Sequence, residues 1–338
     1  MLSRGGVAAA AQPFLAALLH RVLARRPLVI ITASLKAQEV FQQDLTTWMA
    51  ADSEGHSPQS TVHSPQSTAP SPQSALGTQE PISALAQPLF YPGWEILPHE
   101  DRLPHADVIS ERLETLTALG RPGRAGTSRA PVVVASVMAL LQRTFAPEVL
   151  AGGTRAVARG DRCDPLDLVE WLEEQGYEPE AQVTQKGEIA LRGGILDVYP
   201  LTSPWPVRLE FFGDELESLR HFDPLTQISR QEVAAITLPP AGELGILRVR
   251  NAECGMGNAP SGGRRAEGGM RSGGLGTLLD YLPAETILLL CEPEQLDEQA
   301  QAYGRQIPQG DPFFVSWQEF QRQAEAKGMT VLNVAEAE

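Results

Sequence analysis

Apolar residues recur at three-and-four spacing from residue 14 to 26, with Phe14, Leu15, Leu18, Leu19, Val22 and Leu23 on one side, which predicts a helix. Pro27 follows. Leu28-Val29-Ile30-Ile31 is then a short unbroken apolar run, the signature of a buried strand. Residues 35–49 return to helical spacing. Strand, turn and helix in this order predict an α/β layer structure. The pattern resumes with an apolar stretch at Leu89-Phe90-Tyr91 and a helix over 107–119, where Val108, Ile109, Leu113, Leu116 and Leu119 share a side. A Gly/Pro/Arg loop over 120–130 leads to a buried strand at Val132–Ala135, and Ser136 is placed to cap the next helix.

The second half changes texture. Residues 164–176 read as a helix ended by Gly176. From Gln182 to Phe222 the alternation has a period of two, which predicts strands near 188–199, 207–212 and 215–222, with turns at Leu201–Pro206 and Gly213-Asp214. A helix at 277–282, a strand at Ile287–Cys291, helices near 294–303 and 316–327, and a strand at Met329–Val334 complete the reading.

Two stretches break the pattern. Residues 52–80 hold a seven-residue repeat: His56-Ser-Pro-Gln-Ser-Thr-Val, then the units beginning at His63 and Pro70. Each unit carries Pro and almost no apolar residue, so it buries too little surface to offset its chain entropy and reads as a disordered insertion. Residues 242–276 are rich in glycine and read as a second flexible segment.

Composition narrows the function. The 338 residues carry 27 Lys+Arg against 42 Asp+Glu, a net charge of −15, which argues against a protein whose main task is coating nucleic acid. The three cysteines, Cys163, Cys254 and Cys291, are scattered and offer no disulfide or zinc framework, in keeping with a reducing cytoplasm. The longest apolar runs are too short to span a bilayer, so no membrane partner is expected. The six histidines show no metal-ligand spacing.

The turn after the first strand is where a nucleotide-binding phosphate loop would sit. Such a loop needs glycines to curl its N–H groups around phosphate and a Lys followed by Ser or Thr. Here the turn is Thr32-Ala33-Ser34-Leu35-Lys36, with no glycine. The apolar strand Ile287–Leu290 ends in Cys291-Glu292, where an Asp-Glu pair would hold Mg²⁺ and orient water. A thiol is a poor ligand for a hard cation. Lys36 and Glu292 are therefore read as vestigial nucleotide-site positions, with no catalytic residue and no metal site assigned.

The strand Val207-Arg208-Leu209-Glu210-Phe211-Phe212 alternates faces. Val207, Leu209 and Phe211 make a core face. Arg208, Glu210 and Phe212 make the other, on which an aromatic beside an arginine fits a protein-binding hot spot. Arg192, with Gly193 and Gly194, adds a second cation and a bulge. The pattern alone does not separate this from an ordinary solvated face with Phe212 covered by a local helix.

These segments resemble a known family. Tyr91-Pro92-Gly93-Trp94-Glu95-Ile96-Leu97-Pro98, Asp107–Leu113, Val132–Val137, Gly187–Pro200, Arg208–Leu216 and Leu278–Pro283 are similar to the N-terminal UvrB-like module of the bacterial transcription-repair coupling factor (Mfd). The resemblance covers roughly 14–50, 87–240 and 277–338. It implies a degenerate RecA-like α/β domain, of the P-loop NTPase type, with a small α+β domain inserted that binds the repair protein UvrA. On that basis residues 1–150 are the first part of the α/β domain, 151–240 the inserted UvrA-interaction domain, 241–276 a flexible linker, and 277–338 the return to the first domain. The resemblance assigns the UvrA contact to Arg192, Arg208 and Phe212. The inserted stretch 161–240 holds 16 acidic and 6 basic residues, net −10, which suits steering towards a basic partner surface.

The expected function is a non-catalytic adaptor that recruits UvrA for transcription-coupled nucleotide excision repair in the cytoplasm. No cofactor is expected, ATP belonging to the full-length family only. The alternative is an ATP-dependent, UvrB-like DNA helicase or excinuclease subunit, but its DNA-handling β-hairpin is not found. The polymerase-binding, motor and shielding domains of the family do not occur in these residues, so contacts with DNA and RNA polymerase are expected only through domains outside this chain, whether it is a fragment or a split gene product.

Overall fold

The strands Leu28–Thr32, Val132–Ser136 and Ile287–Cys291 are buried at every position. In the computed structural model, which describes residues 2–54, 87–120, 129–256 and 274–336, they form the middle of a six-stranded parallel sheet. Its order is Leu2–Gly5, Thr330–Ala335, Ile287–Cys291, Leu28–Thr32, Val132–Ser136, Leu89–Tyr91. Continuous apolar strands belong in a sheet covered on both sides. Alternate residues feed two cores. Val29, Ile31, Val133, Ala135, Leu288 and Leu290 pack under the helices Ala106–Gly120, Pro293–Gly304 and Trp317–Ala326. Leu28, Ile30, Val132, Val134, Ile287 and Leu289 pack under the helices Gln12–Val22 and Leu35–Glu54. The expected α/β architecture is present. Ser136 caps the short helix Val137–Leu141 by accepting from the Ala139 N–H.

The chain leaves this sheet along Arg155–Ala158 and returns along Ala235–Leu238, and the two crossings pair antiparallel. Between them lies a small α+β domain. Its helix, Pro165–Glu174, starts where Asp164 accepts from the Leu166 N–H and stops before Gly176, whose φ of +87° suits a residue without a side chain. The helix covers one face of a second six-stranded sheet, ordered Ser229–Glu232, Glu215–Phe222, Val207–Phe212, Ile195–Val198, Glu188–Arg192, Glu178–Pro179.

Several expectations need correction. The stretch 188–199 is two strands, not one. Gly193-Gly194 is a hairpin turn rather than a bulge, because Gly193 has φ +61° and Arg192 pairs with Ile195. The first helix ends at Val22, four residues early, and the chain turns before the strand that starts at Leu28. Residues 278–281 are a single 3-10 turn held by a Thr277/Asp280 capping box.

A further correction concerns the stretch 241–276. Residues 244–256 form a helix with Leu244 and Leu247 fully buried, so this part is not a flexible linker. The reason sits one residue before the helix. The Arg112 guanidinium donates to both carboxylate oxygens of Glu243, at 2.7 and 2.9 Å, with both side chains wholly buried. The residues 257–273 of the same stretch lie outside the described residues. So does all of the 52–80 repeat except 52–54, which belong to the last turn of a helix rather than to an insertion.

Arg112 also donates to the Pro92 carbonyl at 2.9 Å, and its guanidinium lies 4.4 Å from the Tyr91 ring centre and 4.8 Å from that of Trp94. Burial opposes its charge, but the Glu243 carboxylate holds its pKa above the ordinary arginine value. Removing either partner strands the other charge in the core. Arg112→Met or Glu243→Leu alone is expected to lower unfolding free energy by roughly 3–5 kcal/mol, and the pair changed together to recover most of it. Urea denaturation of the three variants checks this.

His20 is buried on the opposite side of the sheet, and its Nδ1 has no hydrogen-bond partner. Burial, and secondarily the Arg129 charge, lowers its pKa. The unfolded chain then takes up a proton near pH 6.5, before the folded one does. Stability is therefore full above about pH 7 and declines as pH falls from about 6.5 towards the folded-state value. Denaturation midpoints between pH 5 and 8 should show this slope, flattened in His20→Leu.

Candidate functional site

The second sheet has one face under its helix and one turned away from it. Cross-strand register puts Ala190 and Arg192, Ile195 and Asp197, Arg208 and Glu210, and Ser218 and Arg220 on the outer face. Phe212 follows Glu210 by two residues and joins them. The strand Val207–Phe212 stays regular, since the bulge at this level is taken up by its partner, where Phe211 pairs with Leu216 instead of Glu217. The core face is as read from the sequence: Val207 and Leu209 are fully buried, and Phe211 packs against the same cluster.

The outer face has two unlike halves. Towards Phe222 it is covered by the chain itself, because Val183 folds over it and forms a small buried cluster with Ala190 and Phe222. Arg192, at the surface, donates to the Ala181 carbonyl of this cover at 2.6 Å. Towards Phe212 nothing among the described residues covers it, and Phe212 is 76% exposed.

Arg208 stands between the halves. Its guanidinium donates to both oxygens of Asp197 at 2.8 Å each and lies 4.7 Å from the Phe222 ring centre. The hydrogen bond to Asp197 raises its pKa above the ordinary arginine value. Asp197 itself is only 4% exposed. Beyond them, Arg220 sits 3.7 Å from Glu210 and 3.5 Å from Glu232. These pairs fix the side chains of the face before any partner arrives.

The structure thus brings Arg192, Arg208 and Phe212 onto one face, but in different states. Phe212 is free, Arg192 is exposed with one hydrogen bond, and Arg208 is tied into the fold. Sequence reasoning missed Asp197, the partner that ties it. The signal was available: Asp197 alternates with the buried Leu196 and Val198, so it had to face outwards on a strand next to Arg208.

Residues 156–244 match the family model described as the UvrB interaction domain. The match spans the whole of the second sheet. Its outer face, with all three candidate residues, lies inside that match. Over 150 residues, 44% of this chain and 12% of the relative, the chain is 40% identical to the transcription-repair-coupling factor of Escherichia coli. It is 34% identical to that of Bacillus subtilis over 52% of the chain and 14% of the relative. With the factor of Myxococcus xanthus it shares 31% over 71% of the chain and 17% of the relative. The resemblance read from the motifs therefore holds, and the matched stretch spans less than a fifth of these relatives' length. No helix of the described residues is long and apolar enough to cross a membrane.

Lys36 and Glu292 meet at a second place. Both line a pocket of about 570 Å³ at the ends of the strands Leu28–Thr32 and Ile287–Cys291, where the sequence put the decayed phosphate loop. Its walls are largely apolar, with Pro13, Val40 and Phe41, and its charged groups are Lys36 against Asp44, Glu292 and Glu336. Ser34 accepts from the Ala37 N–H, occupying a helix-terminal donor that a phosphate would use. Glu292 has a left-handed φ of +56° and accepts from Gln12 Nε2 at 2.6 Å and the Glu336 N–H at 3.0 Å. That makes it a staple between the first helix and the last strand. Burial pushes the Cys291 thiol up to about 12, so it stays protonated at neutral pH. Among the described residues no group of His, Cys, Asp and Glu is arranged to hold a metal ion.

Phe212→Ala is expected to change stability by no more than about 0.5 kcal/mol, since the ring touches solvent. Arg208→Ala leaves the buried Asp197 carboxylate unpaired and should cost roughly 2–3 kcal/mol. Thermal and urea unfolding of both variants checks the contrast.

Proposed function

We propose that this chain is a docking module in transcription-coupled repair that binds UvrA through the open half of its UvrB interaction domain, without hydrolysing nucleotide itself. The observation that carries this reading is the uncovered end of a sheet face whose other end the chain covers for itself. An aromatic 76% exposed, on a face largely held by ion pairs, is an anchor that nothing among the described residues covers. The names of the relatives support a repair role, and the family description supports the partner.

The non-catalytic half of the proposal rests on the pocket beside Lys36. Three carboxylates to one ammonium make a poor host for a polyphosphate. No glycine frees the turn to wrap it, and Glu292 is committed to Gln12 and Glu336.

Because Arg208 holds the fold, Arg192 and Phe212 are the better probes of binding. Truncating hot-spot anchors costs about 2–4 kcal/mol, or roughly 30- to 700-fold in Kd. Arg192→Ala plus Phe212→Ala should weaken capture of purified UvrA at least that much while unfolding temperature holds. Undiminished UvrA binding by the double variant rejects the assignment. Calorimetric titration with Mg²⁺–ATP should show no heat of binding, and micromolar affinity would restore the ATP-dependent reading.

A further inference from the structure

The open half of the face carries a second apolar side chain. Ile195 is 39% exposed, opposite Arg192 on one side and Glu210 on the other. Phe212 lies on the neighbouring strand, diagonal to it, a spacing of about 7–8 Å that an aromatic ring bridges. The two hairpins turn at the same end of the sheet, one through Gly193-Gly194 and the other through Gly213-Asp214, so both side chains sit at one edge.

The position of Ile195 is fixed. The Phe211 N–H donates to the Gly194 carbonyl at 2.7 Å, binding the first turn to the strand that carries Phe212. A Cβ on Gly194 would lie 2.8 Å from the Phe211 oxygen, so only glycine permits this approach. A β-branched residue held open beside an exposed ring contrasts with the other end of the face, where the chain buries Val183, Ala190 and Phe222.

We propose that Ile195 and Phe212 form one apolar ridge that enters an apolar pocket of UvrA, with Arg192 at the ridge's edge meeting an acceptor group on the pocket's rim. This rests on the UvrA reading above and adds Ile195 as a contact residue. The rim of the ridge is charged, with Arg192, Glu210 and Glu215 around the two side chains, which is the usual layout of a small hot spot.

The test measures affinity of the full chain for purified UvrA by surface plasmon resonance. Ile195→Thr keeps the strand-favouring branch while removing apolar surface, and Ile195→Val retains most of the ridge. Leu225→Ala is the control, an apolar residue 89% exposed at the opposite end of the sheet. Ile195→Thr is expected to weaken binding at least tenfold with an unchanged unfolding temperature, Ile195→Val less than threefold, and Leu225→Ala not at all. Ile195→Thr and Phe212→Ala combined should lose less than the product of their separate losses, since both fill one pocket. Binding by Ile195→Thr within twofold of the parent, while Phe212→Ala is impaired, overturns the ridge but leaves the UvrA reading standing. Failure of the parent chain itself to bind UvrA removes both.

Discussion

Arg112 is buried without access to water, and a charge in that position needs a counter-charge of matching shape. It finds one in Glu243, 131 residues along the chain. Between the two lie the strand Val132–Ser136 and the whole inserted domain. The pair therefore joins the helix that precedes the insertion to the residue that follows it. Trp94 donates its indole N–H to the same carboxylate at 3.0 Å, and Gln142 ties the Trp94 backbone to the Tyr303 hydroxyl. Such a pair adds little to stability compared with a packed apolar replacement, but it tolerates no other register. The exit from the small domain thereby becomes a fixed corner rather than a tether.

That corner matters for the docking face. Lys186 of the small domain reaches Ser110 at 2.7 Å, and Ser110 donates to the Leu201 carbonyl at 2.6 Å. With the paired crossings Arg155–Ala158 and Ala235–Leu238, the small domain meets the large one through several independent attachments. A partner bound at Phe212, as proposed above, would thus hold the large domain in a defined direction, which the proposed recruiting role requires. The pocket beside Lys36, proposed above not to bind nucleotide, follows the same logic. Glu292 there joins the first helix to the last strand through Gln12 and the Glu336 N–H.

Much of this was legible in the sequence. The buried parallel strands announce themselves as unbroken apolar runs, and the six-residue alternation of Val207–Phe212 gave the correct faces. What failed did so for physical reasons. Glycines mark both bulges and tight hairpin turns, and only the pairing of Arg192 with Ile195 distinguishes them. Reading 188–199 as one strand also hid Ile195, which on a straight strand carries no special meaning. The helix Leu244–Met256 was lost in a window whose later glycines dominated its composition, and the carboxylate that orders its start is paired too far away in sequence to be found by pattern. Arg208 was recognised, but its bidentate partner Asp197 was not, so its structural duty stayed hidden behind its proposed binding one.

The charge of the small domain sets two length scales against each other. Its net −10 acts over about a Debye length, 8 Å at physiological ionic strength, and draws a basic surface near. The face itself speaks a different language at contact: an exposed arginine, an isoleucine and a phenylalanine, with Asp197 paired to Arg208 and Glu210 and Glu232 sharing Arg220. In the proposed complex, approach and grip would be governed by separate residues. Salt acts mainly on the first, as the acidic field collapses and association slows. Dissociation depends on desolvated apolar contact and is nearly indifferent to salt. A face built this way gains specificity from the mismatch, because a basic surface without a pocket for the aromatic is attracted but not retained.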